Sequence, residues 1–148
     1  MKYFILGSIV LLSFFNCRKK VDQVKADEAI ITKYIADNHL VATATGSGLY
    51  YVSTTKGTGL TPNANSNVTV KYTGFLTDGT LFDQSANIGY SFNLIGGIKG
   101  WQEGIPLFNK GGKGKLLIPS ALGYGDQTTG KIPANSVLIF DIELLDVK

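Results

Sequence analysis

The chain has one cysteine, one histidine and one methionine among 148 residues, and these shortages narrow its chemistry before any motif is read. A single thiol forms no internal disulfide, so the fold rests on its hydrophobic core. A single imidazole leaves no His/Cys cluster at metal-ligand spacing and no acid–base relay for a nucleophile. Metalloenzyme and hydrolase chemistry therefore fall away, and no metal or cofactor is expected. His39 lies far in sequence from the other candidate residues and receives no role. Charge is also sparse. Charged residues make up 17% of the chain, the formal net charge is +3, and the four basic residues Lys2, Arg18, Lys19 and Lys20 crowd round the first apolar run. What remains offers no basic face for nucleic acid. That apolar run, Tyr3 to Phe15, is too short to span a bilayer comfortably.

A basic start followed by a short apolar stretch reads as a secretion signal. Cys17 falls directly after it, where bacterial lipoproteins carry the thiol that is lipidated. The preceding Phe14-Phe15-Asn16 departs from the small-residue pattern of such sites, so three readings stay open: a lipoprotein anchored through Cys17, an uncleaved N-terminal anchor, or a secreted protein. The first is favoured, and each places the chain outside the cytoplasm, lipid-anchored to a bacterial envelope membrane in the first. The signal segment is assigned to residues 1–17, and residues 18–46 to a tether and a short helix. Arg18 to Lys25 is charged and polar, as suits a tether, and Ala26 to Leu40 carries Ile30, Ile31, Tyr34 and Ile35 at helical spacing. Asp27 or an acidic neighbour can begin this helix and Asn38-His39 can stop it. Its apolar face either docks on the following domain or meets another protein. A helix this short is a poor dimerisation module, so a monomer is expected.

With 44% hydrophobic residues and 18 glycines, the rest reads as a turn-rich, single-domain globule. From Gly48 onward the pattern changes to β-type. Strands are expected over Leu49 to Thr54, Ser66 to Leu76, Tyr90 to Leu94, Lys113 to Pro119 and Ser136 to Val147, with turns at Gly57-Thr58-Gly59, Asp78-Gly79 and Gly111-Gly112. Gly100 to Phe108 is the one helix candidate here, although Pro106 sits inside it. Thr43 to Gly48 reads as a linker. The implied fold class is α+β, an antiparallel sheet curled round one short helix, with a short N-terminal helix before it.

Aromatic residues then cluster in a telling way. The only Trp, Trp101, stands in Gly100-Trp101-Gln102-Glu103-Gly104, where flanking glycines permit close backbone approach and leave the indole free to face a cavity. Ala121-Leu122-Gly123-Tyr124-Gly125 and the run Ile132 to Leu145, with Phe140 inside it, follow closely. Upstream, Val70 to Gly74 and Gly79 to Asp83 add Tyr72, Phe82 and a carboxylate. Taken singly each apolar residue could be plain core; together they describe the walls of an apolar cup.

In this order Tyr72-Thr73-Gly74, the run Asp78 to Ser85, Gly100 to Gly104, the run Ile118 to Gly125 and the run Ile132 to Leu145 resemble the FKBP-type peptidyl-prolyl cis-trans isomerases, over residues 47–148. The resemblance implies a half-barrel fold and rotation of Xaa-Pro peptide bonds in secreted or envelope polypeptides that are unfolded or partly folded. It also implies a site in which Trp101 is the floor, and Tyr72, Phe82, Tyr90, Ile98, Ile132 and Phe140 supply apolar contacts. Asp83 would orient the Tyr72 hydroxyl, while Tyr124 and the Ile98 backbone N–H would donate to carbonyls of the bound chain. Macrolide-type inhibitors of the family are implied as further ligands. Three features depart from the family pattern. Tyr90 replaces a usual Phe, Gly97 replaces a branched residue and is expected to loosen the backbone beside Ile98, and the loop Asp126 to Lys131 is polar and expected to be flexible.

Such a site suits the chemistry. Amide resonance sets a barrier of about 18–20 kcal/mol to rotation, and a dry cup that favours the less polar, twisted amide lowers it without nucleophile or metal. A non-catalytic module that binds proline-containing segments as a chaperone is the alternative reading.

Overall fold

A computed structural model describes residues 9–148, with side chains from residue 20. Its frame is a seven-stranded sheet ordered β1-β2-β6-β7-β3-β4, with β5 also paired to β3. The strands are β1 Thr43–Ala44, β2 Tyr50–Thr55, β3 Asn67–Leu76, β4 Leu81–Gln84, β5 Tyr90–Asn93, β6 Lys113–Ile118 and β7 Leu138–Val147. All pairings are antiparallel and the sheet is not closed. The long strands β3 and β7 form its centre, while the edge strands β1 and β4 have only two and four residues. Short edges offer little template for pairing with another chain.

Alternation along the central strands sorts the core into two. Leu116 and Ile118 of β6 and Leu138, Phe140, Ile142 and Leu144 of β7 point to one face, with Val68 and Val70 of β3. Leu117 and Ile139, between them in sequence, point to the other with Val52. This two-sided burial follows from the period of two in a strand. It also explains why the sequence of β7 reads as a nearly continuous apolar run rather than an alternating one.

On the first face lies α2, Lys99–Gly104, followed by a 3₁₀ turn over Ile105–Leu107. Gly100 and Gly104 are one turn apart, and a Cβ on them would lie 2.5 Å from Ile118 Cγ2 and 2.6 Å from Leu116 Cδ2. Only glycine lets the helix rest this closely on β6, and that contact fixes which way Trp101 is presented. Pro106 stands at the start of the 3₁₀ turn, where its missing N–H deprives no intrahelical bond.

The second face is met by the C-terminal turns of α1, Ile9–Asp37. Ile31 is fully buried, and with Tyr34 and Ile35 it packs on Val52, Leu117, Val137 and Ile139. The i, i+3, i+4 spacing places these three side chains on one stripe. The expected helix over Ala26 to Leu40 is therefore real and docked, but its expected start is corrected. Arg18 to Lys25 is helix rather than tether, and Asp27, with 1% exposure, is a buried anchor instead of a cap. Its Oδ2 accepts hydrogen bonds from the Ser120 N–H at 2.8 Å and the Ser120 hydroxyl at 2.6 Å, and its Oδ1 accepts from Gln23 Nε2 at 2.7 Å. The charge run 18–25 resembled a tether because Val21 and Val24 are the solvent-facing apolar residues of this turn. Beyond the proposed signal segment, residues 18–37 of α1 form a helix longer than the stretch Ala26 to Leu40 from which a monomer is expected.

The expected linker Thr43 to Gly48 is also structured. Thr43 and Ala44 pair with Tyr51 and Tyr50, and the hydroxyls of Thr45 and Ser47 donate to Glu103 Oε1 at 2.6 and 2.7 Å. Glu103 thus ties the start of the sheet to α2. Of the proposed signal segment, residues 1–8 lie outside the described residues, and the backbone at Cys17 belongs to α1. No helix among the described residues is long and apolar enough to cross a membrane.

Candidate functional site

Between the first face of the sheet and the loops that cross its end lies a cavity of about 700 Å³. Its floor is Trp101, 7% exposed, carried by α2. Tyr72 of β3 and Phe140 of β7 stand against the indole edge to face, with ring centroids at 4.9 and 5.1 Å and interplanar angles of 72° and 71°. Phe82 of β4 continues the wall, 5.4 Å from Phe140 at 87°. Such pairs set positive ring edges against negative faces and hold rings at fixed angles. Gly74 makes room for them: a Cβ there would lie 2.6 Å from Phe82 and 2.9 Å from Phe140. Apolar walls held this rigidly define a shaped cavity rather than a filled core.

The polar groups sit on its rim. Tyr72 donates its phenolic O–H to Asp83 Oδ2 at 2.8 Å, and Asp83 Oδ1 accepts from the Gln84 N–H at 2.8 Å. Burial first, and then the bond to the Asp83 carboxylate, push the Tyr72 phenol well above its ordinary range. The Tyr124 phenol is also raised, by burial and then by the nearby Asp83 charge. Both rings keep their protons at neutral pH, so they act as hydrogen-bond donors and not as acid–base catalysts. The 3₁₀ turn Ser120–Leu122 presents Tyr124, and its first carbonyl, Ser120 O, accepts from the N–H groups of Gly123 and Gly125 at 3.0 and 2.8 Å. Ile98 precedes α2, and among the described residues its N–H meets no acceptor. The site thus combines an aromatic cup with two hydrogen-bond donors, the Tyr124 phenol and the Ile98 N–H, on residues that line it.

Every cup residue expected from the sequence lines this cavity: Tyr72, Phe82, Asp83, Tyr90, Ile98, Trp101, Tyr124, Ile132 and Phe140. Cys17 is not among them. Tyr90 is less a wall than a rim, with 54% exposure. The inner wall at that point is Phe92, which sequence reasoning missed. Its ring lies 5.3 Å from Trp101, and Tyr90 stacks on its outer side at 5.4 Å and 20°. The period of two along β5 was the available signal, because it sends residues 90 and 92 to one face.

Two expectations about the departures are corrected. Gly97 does not loosen the backbone: its φ of −80° and ψ of 169° are ordinary extended values, its N–H donates to Leu94 O at 3.1 Å, and its carbonyl accepts from Gln102 Nε2 at 2.8 Å. The loop after Tyr124 closes into a tight turn, in which the N–H groups of Thr129 and Ile132 each donate to the other's carbonyl at 2.9 Å. Thr129, Gly130 and Lys131 line the cavity beside Ile132. Polarity in this loop marks a hydrogen-bonded turn with Gly130 at a φ of 56°, the left-handed region that favours glycine.

An open antiparallel half-barrel with an aromatic cup beside a short helix, served by neutral donors, defines a binding fold that can act on a chain without covalent chemistry. Comparison with known proteins gives it a family. A sequence model of the FKBP-type peptidyl-prolyl cis-trans isomerases matches residues 59–145. The FKBP-type peptidyl-prolyl cis-trans isomerase FkpA of Aeromonas hydrophila is 42% identical over 139 residues, covering 87% of this chain and 52% of that protein. A crystal structure of a peptidyl-prolyl cis-trans isomerase from Pseudomonas syringae superposes with a TM-score of 0.76 at 33% identity, covering 86% of this chain and 94% of the other. FkpA from Escherichia coli gives 0.71 at 35% identity, covering 99% and 75%. This chain belongs to the FKBP-type peptidyl-prolyl cis-trans isomerase family. It spans about half the length of the Aeromonas relative.

Proposed function

We propose that the chain catalyses cis-trans rotation of Xaa-Pro bonds in unfolded or partly folded polypeptides. The observation that carries this reading is the joint geometry of the cup: Trp101 beneath and Tyr72, Phe82, Phe92 and Phe140 around, with the Tyr72 hydroxyl committed to Asp83. A proline ring seated on Trp101 leaves water, as does the carbonyl before it. Losing water costs the planar, more polar amide more than the twisted one, whose conjugation is broken, and so the barrier falls. Tyr124 and the Ile98 N–H hold the flanking chain, which fixes one side of the bond while the other turns. Asp83, by accepting from Tyr72, keeps that ring edge-on to the indole.

The purified full chain tests this directly. It is expected to accelerate cis-to-trans conversion of a short Leu-Pro peptide, and the emission of Trp101, the single Trp, is expected to change on binding. A change in emission without acceleration would replace catalysis by the binding-module reading. Macrolide-type inhibitors would address the same cup, with the Thr129 to Ile132 turn limiting their contacts on one side.

For location, the reading is an extracytoplasmic protein anchored through a lipid on Cys17. Its support is the placement of the only cysteine directly after the apolar run Tyr3 to Phe15. Cys17→Ala is expected to shift the protein from the membrane to the soluble fraction or to leave its signal uncleaved. A cleaved protein that stays on the membrane in the variant would overturn the lipid anchor.

A further inference from the structure

Gln102 stands beside Trp101 on α2, and its side chain reaches back to the loop before the helix. Its Nε2 donates to Gly97 O at 2.8 Å and to Ile95 O at 3.1 Å. Both neighbours are carbonyl oxygens, so only the NH₂ end of the amide fits here. The Gly97 carbonyl and the Ile98 N–H belong to one peptide group. That group is planar and trans, so fixing the carbonyl fixes the N–H on the opposite edge of the same plane. A hydrogen bond received by the carbonyl also polarises the N–H and strengthens it as a donor. Gly97 has no Cβ to restrain this plane sterically, and the Gln102 bond supplies the restraint instead.

We propose that Gln102 is a positioning residue: it orients the Gly97–Ile98 peptide so that the Ile98 N–H faces the cavity and receives a carbonyl of the bound chain. The proposal rests on the isomerase reading for its kinetic test but not for its structural one. A donor that holds the chain equally in planar and twisted states contributes to binding more than to turnover. Gln102→Met, which keeps length without a donor, is therefore expected to raise KM about tenfold with kcat little changed, the size of one lost hydrogen bond. Gln102→Glu sets a carboxylate against two carbonyls and is expected to raise KM further.

The deciding measurement pairs those kinetics with the ¹⁵N–¹H signal of the Ile98 amide during titration with a Leu-Pro tetrapeptide. In the parent protein this signal is expected to move as peptide binds, and in Gln102→Met to move weakly at matched saturation. Unchanged KM in both variants, with a parental Ile98 shift, would overturn the proposal. Should the parent protein show no acceleration, the isomerase reading fails by itself. The Ile98 shift then still decides: present in the parent and lost in Gln102→Met it supports the positioning role, and equal in both it refutes it.

Discussion

A Trp101→Leu protein is expected to fold and to lose on the order of 100-fold in kcat/KM. The estimate takes the contact with a proline ring as equivalent to burying one apolar side chain, about 1.5–3 kcal/mol, at 1.4 kcal/mol per factor of ten. Leucine is the informative replacement because the indole also packs against Tyr72, Phe92 and Phe140 at 4.9 to 5.3 Å. Truncation to alanine would open a cavity costing about 3–5 kcal/mol in stability and mix a folding defect with the catalytic one. Loss of activity with parental circular dichroism would place the proline on this floor. A parental kcat/KM in a folded Trp101→Leu protein would remove the cup from the mechanism.

The cup was readable because its parts announce themselves locally. A lone Trp between glycines, an aromatic on each central strand and a Tyr between two glycines are residue choices that packing alone explains poorly. The glycines proved informative twice over: Gly100 and Gly104 are where α2 meets β6, and Gly74 is where two rings need space. The polar geometry was not readable. Nothing in Gly100-Trp101-Gln102-Glu103-Gly104 says that Gln102 bonds backwards to Gly97 or that Glu103 receives two hydroxyls from the β1–β2 connection. Such bonds depend on how separate segments meet, and sequence periodicity reports only the face on which a residue lies. The same limit produced the error at the loop 126–131. Its composition suits an exposed connection, whereas its closure depends on backbone bonds, the reciprocal Thr129–Ile132 pair among them.

The N-terminal helix was misread for a related reason. Asp27 falls where a first-turn acid would begin a helix, and charge near a helix start is a sound local rule. Here a long-range partner overrides it, since Ser120 lies 93 residues away. Two short bonds to one carboxylate oxygen in a buried place make this a strong polar contact between α1 and the sheet domain.

Asp27→Ala is accordingly expected to be strongly destabilising. It removes three bonds to the carboxylate, the two from Ser120 worth about 1.5–3 kcal/mol each, and strands the Ser120 N–H and hydroxyl. The full sum is not expected, because α1 can undock and let water reach Ser120, and the loss is then capped at the docking energy of the helix. Among the described side chains, Ile31, Tyr34 and Ile35 are the apolar contributors of α1 to that docking. A loss of about 3 kcal/mol, lowering Tm by roughly 10 °C for a chain of this size, follows. Ser120→Ala keeps the backbone bond and should lower Tm less. Hydrogen exchange separates local from global loss: amides of α1 should lose nearly all protection in Asp27→Ala, while those of β6 and β7 should lose only what the fall in global stability accounts for, and an unchanged Tm with a protected α1 would refute the anchor. The consequence reaches the site, since the carbonyl of Ser120 holds the N–H groups of Gly123 and Gly125 on either side of Tyr124. Release of Ser120 should therefore weaken peptide binding at Tyr124 as well, and a chain cut before Ser47 would carry the same defect because it lacks Asp27.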